Sequence, residues 1–224
     1  MRLDFGEPTL DGLDAARGDL LVLTAFTDDR PLRGLAGRVD WRLCGRLSRL
    51  LQSQFVRGED GEVTLTPMPE DRLPFERVMI VGLGRRIEFD GGRFETACET
   101  IFRRAAGIGA RDVSMSLPGR VGMQVGLRQA VHGWGRALAR AYDAEALMEV
   151  RVLLLEPLEV QRELAEPLLE MARRLHEEAR HATGRIDEPE EDGASAIEAA
   201  PRDWRTGVRR LVPDAAEPGG LGDL

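Results

Sequence analysis

The stretch HEEARH, His176 to His181, comes near the helical zinc-protease pattern H-E-x-x-H, in which two imidazoles one turn apart hold a metal beside a carboxylate base. Here the second histidine follows the first by five residues instead of four, and the extra residue rotates it by about 100° around a helix axis. Arg180 stands where the second ligand belongs, and the third histidine, His132, falls in a different helical run. No zinc site is expected. The acids of DEPEED, residues 187 to 192, read as a solvated charge run, because a catalytic metal pair needs its carboxylates on rigid elements with open coordination positions. Nucleophilic chemistry lacks its parts as well. No G-x-S-x-G elbow occurs, and all 31 cationic residues are arginine, so no Schiff-base, P-loop or catalytic lysine exists. No cofactor is expected.

One stretch could still bind an anion. RVMIVGLGRR, residues 77 to 86, is a short buried strand from Val78 to Val81 that runs into a Gly-Leu-Gly turn backed by Arg85 and Arg86. After a parallel strand such a turn lies at the carboxyl edge of a sheet, where open α/β folds bind ligands, and its amides could face a phosphate. The candidate ligand loop is Thr24, Gly82, Leu83 and Gly84. The competing account is steric, with glycines easing a sharp exit from a buried strand. It is the favoured one.

The elements that would hold this turn alternate. Leu20 to Phe26 is a continuous apolar strand closed by DDRP, as expected of a central strand buried on both faces. VDWRLCGRLSRLLQSQF places Trp41, Cys44, Leu47, Leu50 and Leu51 at helical spacing, with Asp40 as N-cap. EVTLTPM suits an edge strand because of Pro67 within it and Pro69 just after it. RFETACETIFRRAAGIGA carries Phe94, Ala97, Cys98, Ile101, Phe102 and Ala105 on one helical face. Val113 to Leu117 is a strand. A glycine-bearing helix over residues 121 to 144 allows close approach to a neighbour, LMEVRVLLLEP is a strand, and a final helix from residue 159 must kink or restart at Pro167. The alternation predicts an α/β domain with a mostly parallel or mixed sheet between helices.

Composition sets the outer limits. At 224 residues and 42% hydrophobic content, the chain has enough for one domain and an appendage. The expected boundaries are 1 to 182 for the domain and 183 to 224 for a flexible acidic tail, which holds ten acids against five arginines. The nearly neutral body offers no footprint for nucleic acid. Two distant cysteines, Cys44 and Cys98, read as small buried thiols of a reducing cytosol. The longest apolar runs are too short to cross a membrane, and the N-terminus lacks a signal peptide's pattern, so a soluble cytoplasmic protein is expected.

The order of these parts resembles the N-terminal domain of the leucine aminopeptidase family: the strand DLLVLTAF, the Trp- and Leu-bearing helix, the strand ending in Val81, Gly82, Leu83 and Gly84, the helix FETACETIFRRAA, the strand DVSMSLP, and Tyr142 closing the glycine-rich helix. The resemblance covers roughly residues 15 to 181. It implies a three-layer macrodomain-like fold. Full-length members continue into a catalytic domain whose motif Asn-Thr-Asp-Ala-Glu-Gly-Arg supplies ligands to two metals, assisted by lysines, and neither feature occurs here. The resemblance therefore implies a non-catalytic protein-binding or regulatory module, whose partner is itself or a full-length aminopeptidase. The alternative is a macrodomain-type sensor of ADP-ribose or a related nucleotide. Two interaction surfaces are expected. The final helix presents Leu164, Leu168, Met171, Leu175 and Ala179, either against its own sheet or to a second copy. In the tail, DWRTGVRRLV, capped by Asp203, gathers Trp204, Val208 and Leu211 on one face of a short helix beside Arg205 and Arg209, docking in cis or in trans.

Overall fold

The computed structural model describes residues 1 to 68, 72 to 119 and 126 to 183, together with the backbone of 208 to 210. The strands are β1 (Arg2–Gly6), β2 (Gly18–Ala25), β3 (Val63–Pro67), β4 (Phe75–Gly82), β5 (Asp112–Met115), β6 (Arg151–Leu155) and β7 (Val208–Arg210). The helices are α1 (Leu10–Ala15), α2 (Gly34–Arg42), α3 (Arg46–Gln52), α4 (Gly91–Gly107), α5 (Leu127–Ala141), α6 (Ala144–Glu149) and α7 (Leu158–Ala182). One sheet of seven strands runs in the order β3-β4-β2-β5-β6-β1-β7. Every pairing is parallel except that of β3 with β4.

The apolar run of β2 is central, between β4 and β5, and its side chains alternate between two cores. Leu20 and Val22 join Phe94, Ile101, Phe102, Trp134, Leu164 and Leu168 under α4, α5 and α7. Leu21, Leu23 and Ala25 join Leu13, Leu35, Val39, Leu47 and Leu51 under α1, α2 and α3. Helices therefore cover both faces, the arrangement a mostly parallel sheet requires. In the first layer Trp134 of α5 meets Phe102 of α4 edge-on at 5.1 Å. A Cβ on Gly135 would lie 2.6 Å from Met171 Cγ, so the expected close approach along the glycine-bearing helix is real, and its neighbour is α7. Tyr142 donates its phenol to the Ala110 carbonyl at 3.0 Å, tying the end of α5 to the turn before β5.

Several expectations need correction. The run from residue 39 to 55 is two helices. Cys44 (φ 52) and Gly45 (φ 76) take left-handed backbone between α2 and α3, so the periodic register does not carry across. Trp41 consequently turns outward, 67% exposed, and Cys44 is exposed, not buried. Asp40 is not the N-cap of its own helix. It lies inside α2, and its carboxylate accepts the Ser48 amide at 3.0 Å and hydroxyl at 2.5 Å, serving the first turn of α3. α7 runs through Pro167 without restarting. The stripe Leu168, Met171 and Leu175 is buried in the first core, because α5 presents glycine where α7 crosses it. A partner could reach that stripe only by displacing α7.

β1 and α1 carried no expectation. β1 pairs in parallel with β6 and forms the edge on which β7 adds, with Leu3, Asp4 and Phe5 opposite residues 208, 209 and 210. The short helix expected over 203 to 212 is thus replaced at 208 to 210 by extended backbone. A β-branched residue beside an open parallel edge is better served by ladder hydrogen bonds than by one or two isolated helical turns. Trp204 and Leu211, with the rest of that stretch, lie outside the described residues.

Candidate functional site

β2 and β4 end side by side at the carboxyl edge of the sheet, with Thr24 opposite Val81 and Ala25 opposite Gly82. The turn that follows is the candidate anion cradle. Its three amides all donate inward: Gly82 to the Glu62 carbonyl at 2.8 Å, Leu83 to Ala25 at 3.0 Å and Gly84 to Gly58 at 2.9 Å. The Gly84 carbonyl in turn accepts the Thr27 amide at 2.9 Å and the Thr27 hydroxyl at 3.2 Å. A phosphate would find no amide of this turn unpaired. Thr24 is half-buried at the strand end, and the Leu83 side chain is fully buried. The candidate ligand residues are adjacent, as expected, but they are bonded to the fold.

The glycines follow from the same packing. A Cβ on Gly82 would collide with the Glu59 carbonyl oxygen and lie 2.6 Å from the Gly58 carbonyl carbon, so the loop of residues 57 to 62 lies directly on the strand end. Gly84 has φ +71, a conformation that side chains rarely tolerate. That loop carries an internal anion of its own. The Glu62 carboxylate accepts the amides of Arg57 at 2.9 Å, Gly58 at 2.7 Å and Glu59 at 3.2 Å, three successive donors of the kind that elsewhere surround bound anions.

The two arginines behind the turn are also engaged. The Arg86 guanidinium lies 4.3 Å from the centre of the Phe26 ring and 2.9 Å from Asp29, which Arg33 also approaches at 3.6 Å. Phe26 packs edge-on against Phe89 at 5.3 Å. The Arg86 amide donates to Asp28 at 3.1 Å, and this bond chiefly holds the Asp28 carboxyl below its ordinary value. Arg85 reaches Glu88 at 3.7 Å.

Glu156, which carried no expectation, closes the same edge beyond β6. Its buried carboxylate accepts the Leu117 amide at 2.7 Å past the end of β5, while Gln161 bridges the Glu156 and Gly6 carbonyls at 2.6 and 3.0 Å. The sequence does contain a signal for it: an acid placed directly after the apolar run VLLL and before Pro157. Elsewhere, burial lowers the pKa of His176 on α7. Among the described residues no group of three His, Cys, Asp or Glu could hold a metal, and no helix is long and apolar enough to cross a membrane.

Residues 22 to 140 match the N-terminal domain of the cytosol aminopeptidase family. The chain belongs to this family. A probable cytosol aminopeptidase of Cyanothece sp. is 29% identical over 116 residues, which make up 52% of this chain and 23% of that protein. One from Sulfurihydrogenibium sp. is 27% identical over 105 residues, 47% of this chain and 21% of its own length. The chain thus spans under a quarter of the length of the curated relatives it matches. Among solved structures, a tomato leucine aminopeptidase mutant superposes with a TM-score of 0.53 at 14% identity, over 77% of this chain and 36% of that one. The Trypanosoma brucei macrodomain in complex with ADP-ribose superposes with a TM-score of 0.53 at 16% identity, over 76% and 69%. The fold of this cytosol aminopeptidase N-terminal domain is macrodomain-like.

Proposed function

We propose that this cytosol aminopeptidase N-terminal domain is a non-catalytic module that works by binding protein, its partner being a second copy or a full-length aminopeptidase. The observation that carries the reading is the closed strand edge. All three amides from Gly82 to Gly84 donate within the fold, and Arg86 is held between Phe26 and Asp29. Large apolar side chains meanwhile remain on the surface, with Trp41 and Phe55 each 67% exposed and Ile87 77%. Light scattering of the purified chain, alone and mixed with a full-length cytosol aminopeptidase, tests it. The expected outcome is a self-complex or a mixed complex. A monomer that ignores the aminopeptidase would end the proposal.

The second reading is a nucleotide sensor. It rests on the likeness to a macrodomain solved with ADP-ribose and on the convergence of β2, β4, β5 and β6 at one edge. Titration calorimetry with ADP-ribose separates the two, since saturable heat would put the sensor first.

A further inference from the structure

The charge of the α2 to α3 face is opposite in sign to that of the chain. Residues 30 to 57 contain seven arginines and a single acid, Asp40, in a chain of net charge −8. With residues 69 to 72 included, where Glu70 and Asp71 lie outside the described residues, arginines still outnumber acids by eight to three. The Asp40 carboxylate is engaged within the fold by the Ser48 amide and hydroxyl. Arg33, Arg42 and Arg57 pair with Asp29, Asp14 and Glu59. Arg38, Arg46, Arg49 and Arg72 are exposed and make no ion pair with any described residue.

Beside them lies a groove of about 670 Å³ lined by Pro31, Leu32, Trp41, Arg42, Cys44 and Arg72. The left-handed turn at Cys44 and Gly45 leaves the Trp41 indole 67% exposed in its wall. Arg49 donates to the Cys44 carbonyl at 2.8 Å and Arg72 to the Cys44 sulfur at 3.8 Å, so two guanidinium groups mark the Cys44 end. Arg38 precedes Trp41 by three residues and Arg42 by four, which places it on the same side of α2. Pro31, Leu32 and the indole thus give apolar surface bordered by guanidinium groups that have no acid of their own. Arginine clusters recognise acidic motifs, and Trp and Arg are the residues that most often anchor interfaces. A single-stranded nucleic acid fits less well, because it stacks successive bases on successive rings. Among the described residues that line the groove, Trp41 alone is aromatic.

We propose that the Trp41 groove is the docking site for an acidic segment of a partner protein, its apolar side chains against Trp41 and Leu32 and its carboxylates on Arg38, Arg49 and Arg72. The proposal rests on the protein-binding reading above and deepens it by giving the partner's chemistry. The probe is a fluorescein-labelled synthetic peptide of four Glu-Glu-Leu repeats, titrated by anisotropy against the full chain. It should bind at about 0.1 M salt, where the Debye length is about 10 Å, and release near 1 M, where it is about 3 Å. Trp41→Ala should weaken binding about tenfold or more, as for an interface anchor, and so should Arg38→Gln, Arg49→Gln and Arg72→Gln combined. Arg103→Gln with Arg104→Gln, exposed arginines on α4 that also lack an ion pair with any described residue, should leave binding essentially unchanged. A peptide with serine in place of leucine should bind less tightly. No binding, binding that ignores Trp41→Ala, or equal loss from the α4 change, which would reduce the effect to bulk charge, overturns the proposal. Tighter binding of a poly-dT oligonucleotide, lost on Trp41→Ala, would overturn it by assigning the face to nucleic acid. A self-complex or aminopeptidase complex that light scattering still detects in the Trp41→Ala chain and in the triple arginine variant would overturn this site and leave the protein-binding reading standing.

Discussion

The two helical layers of this domain are built differently. One is built on α4, α5 and α7, helices of 17, 15 and 25 residues, with the six-residue α6 packed beside α7, and it encloses the Trp134 and Phe102 pair. The other consists of α1, α2 and α3, of 6, 9 and 7 residues, and it leaves Trp41 and Cys44 at the surface. A long helix samples its period over several turns, so one apolar stripe dominates its orientation. A short helix is oriented by the turns at its ends, and a single left-handed residue can redirect it. The first layer is expected to carry most of the stability, and the second to carry contacts with other segments.

Trp134→Ala should test that contrast most severely. Emptying a fully buried indole site typically costs about 3 to 5 kcal/mol, and denaturant unfolding of the variant measures it. A loss under about 1 kcal/mol, the ordinary size of a point-mutant effect, would mean that the long-helix layer does not dominate. Gly82→Ala should come next, at about 1 to 3 kcal/mol as for other overpacked sites, because the new Cβ must push the loop of residues 57 to 62 off the strand end. Hydrogen exchange should show the amides of Arg57 to Glu59 losing protection first. Global unfolding without that local loss would show that the loop is not a separable lid on the corner.

Tyr142 supplies a pH probe within the long-helix layer, and it is the single tyrosine of the chain. Burial pushes its phenol up to about 12. Between about 10, the ordinary phenol value, and 12 the folded state retains a proton that the unfolded chain has lost. The tyrosine's contribution is therefore complete below about 10 and declines as pH rises toward 12. Absorbance titration of the phenolate should give the raised value directly. Tyr142→Phe should cost about 1 kcal/mol for the lost bond to Ala110 and remove that share of the alkaline decline. The smallest effect belongs to Trp41→Ala, within about 0.5 kcal/mol as for an ordinary surface position, because its indole is mostly solvated. A larger drop in the thermal midpoint would mean that the indole is packed within the fold after all.

Much of the first layer is legible in the sequence. Phe94, Ala97, Cys98, Ile101, Phe102 and Ala105 are all buried, as their spacing on α4 requires. The strands β2, β4, β5 and β6 are recognisable as apolar runs because parallel strands are covered on both faces. The second layer is legible only in part. Leu47 and Leu51 are buried as expected, whereas Trp41 and Cys44 point outward because positive φ at residues 44 and 45 changes the register between them. Charge behaves similarly. A near-neutral body, averaged over its length, conceals the arginine-rich stretch from 30 to 57. In the candidate site the glycine corner is visible in the sequence, whereas Glu156 shows there only as an acid after an apolar run, which reads like any turn residue until its buried partner, the Leu117 amide, is known.

What the sequence alone determined are the properties that depend on neighbours along the chain. These are the alternation of strand and helix, the apolar stripes of the long helices, the placement of β3 at an edge by Pro67, and the absence of lysine chemistry. The tertiary structure decided whatever depends on groups distant in sequence. Whether the Gly82 to Gly84 amides face outward or inward rests on the carbonyls of Ala25, Gly58 and Glu62. Whether Leu168, Met171 and Leu175 meet a partner or their own core rests on the close approach of α5. The addition of β1 and β7 beyond β6 joins chain ends far apart in sequence. Parallel pairing and buried hydrogen bonds form between segments that local preference cannot bring into register, and only the folded chain chooses their partners.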